Sequence, residues 1–280
     1  MNLVTLATEE SWQEFDDAWA KLMATDEPLD ELYEALGVVG QKRRMARCMA
    51  LVRDHVDVLA ASQRHAEAAE LVGAALVAGG APGELAGGLF QQARSAWGEE
   101  SWWGAFCETA GFHENAPEIR RAWTYFRDMR RYQAGLVIFH AAGWGTGEVT
   151  SVDKAEQEVQ VTFQTGRRDR FPLRTAVEIF EILPESDLRA QVLRDFDALK
   201  RRIKDDPLEV LRSLLFRFGG KASNITLRNA MMQIGVTGNA WSSWWRRTRL
   251  LAENSEWFRV TGNATPAEIE LLRPAVDPVR

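Results

Sequence analysis

The sequence predicts an α+β chain that is mainly α, on three observations. Apolar residues recur at spacings of three and four from residue 8 to about 131, short alternating segments take over at Gly135, and three separately capped helical stretches followed by a β-run fill residues 206–262. The expected organisation is an α-helical array over 1–133, a small β-barrel over 134–184, a linking amphipathic helix over 185–205, a winged-helix-like domain over 206–262, and a short helix and tail over 263–280.

In the first segment Trp12, Phe15, Trp19 and Leu22 share one helical face, as do Leu71, Ala74, Ala75 and Ala78. Breaks are predicted at "DEP", at "AGGAPGELAGG" and at "HENAP", where glycine, proline and cap-forming residues cluster. Stretches of 12 to 20 residues between short turns predict paired helices in a solenoid or irregular bundle, with no nameable repeat.

From Gly135 the segments "GLVIFH", "GEVTSVD", "EVQVTFQ", "RRDRFPL" and "VEIFEIL" read as five short strands, which predicts an SH3-like or Tudor-like barrel. Val159, Val161 and Phe163 alternate with polar neighbours, as a half-buried strand requires. "GWGTGEV" resembles a dinucleotide loop but precedes a strand, so it has no helix N-terminus to offer a pyrophosphate. Its glycines read instead as a turn at the barrel mouth, with Trp144 either tucked over the barrel end or exposed.

Leu188, Val192, Phe196, Leu199 and Ile203 form a narrow apolar stripe on the predicted linking helix. Asp206, Pro207 and Glu209 then give a cap, a first-turn proline and a carboxylate three residues after the cap. A second helix is expected to be capped by Asn224, and a third to run from about Ala240 to Ala252, followed by the β-run "EWFRVTGN". The third helix packs three tryptophans and three arginines into residues 241–249. Advancing about 100° per residue places Trp241, Trp244 and Trp245 on one face with Thr248 and Ala252, and Arg246, Arg247 and Arg249 opposite or flanking. The indoles are therefore expected to be core or domain-interface residues and the arginines open.

Charge is uneven. Residues 1–134 carry 13 Lys/Arg against 21 Asp/Glu, whereas residues 186–280 carry 16 against 11. A basic end of this kind points to a polyanionic partner or to a solvated face. Two cysteines, Cys48 and Cys107, and four scattered histidines give no disulfide framework and no metal-ligand spacing. There is no phosphate-binding loop and no nucleophile elbow, so a non-enzymatic protein without cofactor or metal is expected. No apolar run approaches bilayer length and no leader pattern opens the chain, which predicts a cytoplasmic protein without membrane contact.

"IFHAAGWGTGEV", "DDPLEVLRSLLFRFGGKAS" and "WSSWWRRTRLL", in this order over roughly residues 130–260, resemble the region preceding the catalytic part of long-form Gre-type bacterial transcription elongation factors. The matching positions are Gly143 to Glu148, Pro207 to Ala222 and Trp241 to Arg249, with Ala142 where the family has glycine. The barrel is also similar, more loosely, to polymerase-interacting domains of the CarD type. Gre-type factors act through paired acidic residues at the tip of a long coiled coil, for which these 280 residues show no counterpart. The resemblance thus implies docking and not transcript cleavage, in an accessory part of a longer protein or in a stand-alone relative.

The resulting expectation is an accessory module of a transcription elongation factor that docks on bacterial RNA polymerase. Gly143, Trp144, Gly145 and Thr146, with Arg167, Arg168 and Arg170, would contact the polymerase. Lys221, Arg228, Arg246, Arg247 and Arg249 would face nucleic acid or an acidic partner surface. The alternative is a helical-repeat adaptor between proteins, unrelated to transcription.

Overall fold

In the computed structural model, which describes residues 2–262 and 266–272, residues up to Arg131 are helical: α1 (Leu3–Glu9), α2 (Trp12–Met23), α3 (Asp30–Gln41), α4 (Met45–Ala61), α5 (His65–Val77), α6 (Pro82–Trp97), α7 (Trp103–Ala110) and α8 (Ile119–Arg131). Together with Lys154–Glu156 they form the first of two units. Asn2 caps α1 by accepting a hydrogen bond from Thr5 N at 2.8 Å. Phe15 and Trp19 of α2 are fully buried, and the Trp19 indole donates to His55 Nδ1 at 3.0 Å. Burial, then the charge of Arg64, holds the His55 imidazole below its ordinary range, which keeps the accepting nitrogen free of a proton.

The breaks after α3 and α4, like that after α1 at Glu10, carry no glycine, against the expectation of glycine- or proline-marked turns. Arg43 and Gln63 take left-handed φ values of 56° and 62°. Each closes a Schellman turn, with Arg44 N donating to Val39 O at 3.0 Å and Arg64 N to Leu59 O at 2.8 Å. The predicted break at "AGGAPGELAGG" is shorter than expected: Gly79, at φ 103°, ends α5, but α6 starts at Pro82 and runs through Gly87 and Gly88. The buried Trp123 indole of α8 lies so close to the α5 backbone that a Cβ on Gly73 would overlap it.

The second unit is Tyr132–Asp153 with Gln157–Arg280. Its sheet comprises β1 (Val137–His140), β2 (Gly145–Asp153), β3 (Glu158–Phe163), β4 (Arg168–Pro172) and, after α9 (Leu173–Ile179), β5 (Glu181–Ile182). All pairings are antiparallel, in the order β4-β3-β2-β1-β5. The predicted fifth strand, "VEIFEIL", is divided: Val177–Ile179 are the end of α9, where Pro172 starts a helical turn that buries Leu173 and Ala176, and only Glu181–Ile182 are the strand β5. Hydrogen bonds do not join the edges β4 and β5; Phe171 and Phe180 meet there instead, ring centroids 5.0 Å apart.

The predicted linking helix is two helices, α10 (Leu188–Arg194) and α11 (Phe196–Asp205). Asp195 breaks them, at φ −155° and ψ 86°, and its carboxylate caps α11 by accepting from Ala198 N at 2.8 Å. Then follow α12 (Pro207–Arg217), β6 (Lys221–Ser223), α13 (Asn224–Gln233), α14 (Gly238–Glu253), β7 (Phe258–Thr261) and β8 (Glu268–Leu271). Asp206 caps α12 as its sequence signals, but α13 is capped by Ser223, one residue before the predicted Asn224. Asn224 instead accepts from Ala267 N through its side chain and donates from its backbone to Ala267 O at 2.9 Å. Where a short helix was predicted after residue 262, Glu268–Leu271 is a strand between β6 and β7 that buries Ile269 and Leu271; the remainder of that predicted tail lies outside the described residues. The chain is thus mainly α, with small antiparallel sheets and a C-terminal helix-turn-helix.

Gly73→Ala should destabilise the helical unit by about 1–3 kcal/mol, because the added methyl has no space against a fixed indole. Hydrogen exchange would show lost protection in α5 and α8 with β1–β5 unchanged; unchanged protection in α5 would refute the close packing.

Candidate functional site

The predicted polymerase-facing residues separate into structural and exposed groups. The turn from β1 to β2 uses left-handed backbone at Gly143 and Gly145, with φ 117° and 72°. Trp144 is half-buried: it stacks on His140 at 4.3 Å and 22°, and lies 5.5 Å from Phe163 and 5.4 Å from Phe171. It thereby covers the aromatic core of the sheet. Thr146 is buried, its carbonyl accepting from Gln164 N at 2.9 Å, so it is not the surface contact its position in the motif predicted. Gly147 is fixed by packing, since a Cβ there would lie 2.9 Å from Phe163 and from Val161.

On the strand side, the Arg167 guanidinium sits 4.6 Å over the Trp144 ring and pairs with Asp169. Arg170 is exposed and pairs with Glu158 at 3.3 Å. Arg168 is exposed on the edge strand β4, opposite Thr162 in register. The structure therefore brings Trp144 and Arg167 into contact and leaves Arg168 and Arg170 as the basic rim.

Sequence reasoning missed Arg189. It is a buried cation, 1% exposed, on α10. Its guanidinium donates to both Glu181 oxygens at 2.6 Å and to Asp187 at 3.0 and 2.7 Å, and lies 4.7 Å from the Phe139 ring. Arg194, one turn later, donates to Gly135 O at 2.8 Å and pairs with Glu148 at 3.3 Å. These contacts seat α10 on the sheet. Burial alone would raise the Asp187 carboxyl, but hydrogen bonds from Arg189 outweigh it and hold the group below its ordinary range; Glu181 is lowered chiefly by the same partner. The only signal in the sequence was an Asp two positions before an Arg, which is too common to single out.

On the helix-turn-helix, the predicted segregation of indoles and arginines holds for Trp241 and Trp244, which are buried with Thr248 and Ala252. Trp244 donates to Ile203 O at 3.1 Å. Trp245 departs from it: half-buried, it stacks on Trp241 at 5.5 Å and 12° and reaches the surface between α13 and α14. Three of the five predicted polyanion contacts are already engaged. Lys221 pairs with Glu268 at 3.0 Å, Arg247 donates to Lys204 O at 2.7 Å, and Arg249 pairs with Glu253 at 2.7 Å and donates to Gly262 O at 3.1 Å. Arg228 and Arg246 are exposed and line one groove of about 600 Å³ with Trp245. Among the described residues no cluster of His, Cys, Asp or Glu could hold a metal ion, and no helix is long and apolar enough to cross a membrane.

Residues 189–272 match the GRAD helix-turn-helix domain family. The match opens at Arg189 and closes just after β8. The chain is also 28% identical over 119 residues to transcription elongation factor GreA of Chlamydia trachomatis serovar D, and 26% identical over 117 residues to transcription elongation factor GreA of Chlamydia pneumoniae. Each similarity covers 41% of this chain and 16% of the relative's length. No solved structure matches.

Trp144→Ala should destabilise the sheet by about 3 kcal/mol, since it uncovers Phe163 and Phe171, whereas Arg168→Ala should change stability by less than about 0.5 kcal/mol; thermal melting of both variants checks the contrast. Arg189→Ala should cost about 3 kcal/mol at pH 7, chiefly by leaving the buried Asp187 carboxylate unpaired, since Glu181 is half-exposed. Because folding lowers the pKa of Asp187 and Glu181, their contribution is complete above their unfolded range, near 4, and is lost as pH falls through the folded values. The stability gap between wild type and Arg189→Ala in urea titrations should thus be widest near neutrality and narrow below about pH 4. A gap independent of pH would show that packing, not ion pairing, carries the effect.

Proposed function

We propose that this protein acts in bacterial transcription as an accessory module that docks on RNA polymerase. The observation that carries the reading is the agreement of two comparisons: similarity to transcription elongation factors GreA, and a GRAD helix-turn-helix domain over residues 189–272. Docking falls to the rim of the five-stranded sheet. Arg168 stands open on an edge strand beside unpaired backbone, with Arg170 two residues on already paired with Glu158, and the Trp144 cover fixes the turn next to them. The basic face of the helix-turn-helix, centred on Arg228 and Arg246, meets a polyanion in the same assembly. Nothing in the role requires chemistry on a substrate.

The test is retention of the tagged chain on purified bacterial core RNA polymerase. Wild type should be retained and Arg168→Glu should lose most of it, with melting unchanged because Arg168 is solvent-exposed. Trp144→Ala is informative only beside its melting curve, since the indole is also structural. Wild type that passes through unretained would overturn polymerase docking and favour a protein-protein adaptor built on the acidic helical unit.

A further inference from the structure

The groove between α13 and α14 is poorly suited to a phosphate backbone. Its floor is apolar, made by the half-buried Trp245 stacked on Trp241, and its sides carry Ile225 and Leu250, which are 48% and 62% exposed. Exposed aliphatic side chains grouped around an indole are an interaction feature, and a sugar-phosphate chain offers them no apolar counter-surface. Two arginines that a DNA-reading helix could direct outward, Arg247 and Arg249, have donors committed to Lys204 O, Glu253 and Gly262 O. Arg228 and Arg246 form no salt bridge among the described residues. What remains is a groove whose apolar part is Trp245, Ile225 and Leu250, bordered by Asn224, Ser242 and the Arg249–Glu253 pair, with two open cations at its rim.

We propose that this groove binds an acidic amphipathic helix of a partner protein. Apolar side chains one turn apart on that helix seat on Trp245, Ile225 and Leu250, and its flanking carboxylates pair with Arg228 and Arg246. Charge complementarity selects the occupant: residues 207–262 carry 8 Lys/Arg against 3 Asp/Glu, and the groove's two open charges are both positive. The geometry is the helix-in-groove mode, in which apolar anchors supply affinity and rim charges supply selectivity. Tryptophan and arginine are also the side chains that most often dominate such interfaces. The inference rests on the preceding reading only in naming the polyanion that the basic face meets; the sheet rim plays no part in it.

The test is fluorescence anisotropy of labelled probes on the full 280-residue chain. The main probe is a glutamate-rich peptide of about four helical turns with leucines at i and i+4 positions. Its controls are polyglutamate of equal length, the same peptide with lysine for glutamate, and single-stranded and duplex DNA. The leucine-bearing acidic peptide should bind at least about tenfold more tightly than polyglutamate, and the lysine peptide should not bind. Arg228→Ala with Arg246→Ala should weaken it about tenfold, equivalent to about 1.4 kcal/mol. Leu250→Ser, at an exposed position that leaves the fold intact, should weaken the leucine-bearing peptide and leave polyglutamate unchanged. Equal binding of both acidic peptides, or no binding of either, would overturn the proposal. So would tight DNA binding whose salt slope falls in the double arginine variant while the peptide is ignored, an outcome that would assign the groove to nucleic acid. Peptide binding by a chain that core polymerase does not retain would sink polymerase docking and leave the groove assignment standing.

Discussion

The second unit depends on one buried cation. Taking a guanidinium out of water costs several kcal/mol unless its donors are met, and Arg189 is met by two carboxylates in bidentate geometry with an aromatic ring beside it. That arrangement dictates more than its own neighbourhood. Glu181 lies on β5, Asp187 is the residue that caps α10, and Phe139 lies on β1, so α10 has one orientation in which all three are satisfied. With α10 fixed, the chain must turn at Asp195 for α11 to join the helix-turn-helix core through Leu199. Arg202 continues the linkage, donating to Gln191 on α10 at 2.9 Å and to Glu209 on α12 at 3.1 Å. Arg217 shows the contrast: half-buried, with Gln233 as its hydrogen-bond partner, it has its pKa lowered by burial and then by the charge of Arg189.

What the sequence disclosed followed from local chemistry. The Asp206-Pro207 start of α12, the helical periodicity of the first unit and the alternation of Val159, Val161 and Phe163 are each decided within a few residues, and each agrees with the structure. What stayed hidden was decided at a distance or by unusual residues. Arg43 and Gln63 adopt the left-handed conformation that glycine normally signals. "VEIFEIL" is apolar enough for a strand or a buried helical turn, and Tyr132, which donates to Ala176 O at 2.8 Å from outside the segment, is part of what holds the helix. Strand β8 follows from pairing on both sides, which four residues of sequence do not announce.

The candidate surfaces were legible to a similar degree. Counting helical angles separated the arginines of α14 from Trp241 and Trp244, but not the groove, because that needs α13 beside it to supply Ile225 and Arg228. Charge counting also overstated the basic face. Lys221, Arg247 and Arg249 each have a partner in the fold, and a committed cation offers a polyanion less than an open one. In the sheet, the G-W-G motif proved to be about closure: two left-handed glycines let Trp144 turn back over Phe163 and Phe171, in a sheet whose edges hydrogen bonds leave apart.

These constraints bear on how one unit could use two docking surfaces. The sheet rim and the α13–α14 groove are each small, and surfaces of that size bind weakly alone. Held at a fixed separation, they convert the second contact into an intramolecular event, with a gain set by how stiffly they are joined. The joint here is short helices locked by arginine clusters at Arg189, Arg194 and Arg202, not a flexible linker. A stiff joint raises the gain only for a partner whose own two surfaces have the matching spacing, and lowers it for all others. The buried guanidinium, by fixing α10 on the sheet, thus sets the separation of the two proposed surfaces without being part of either.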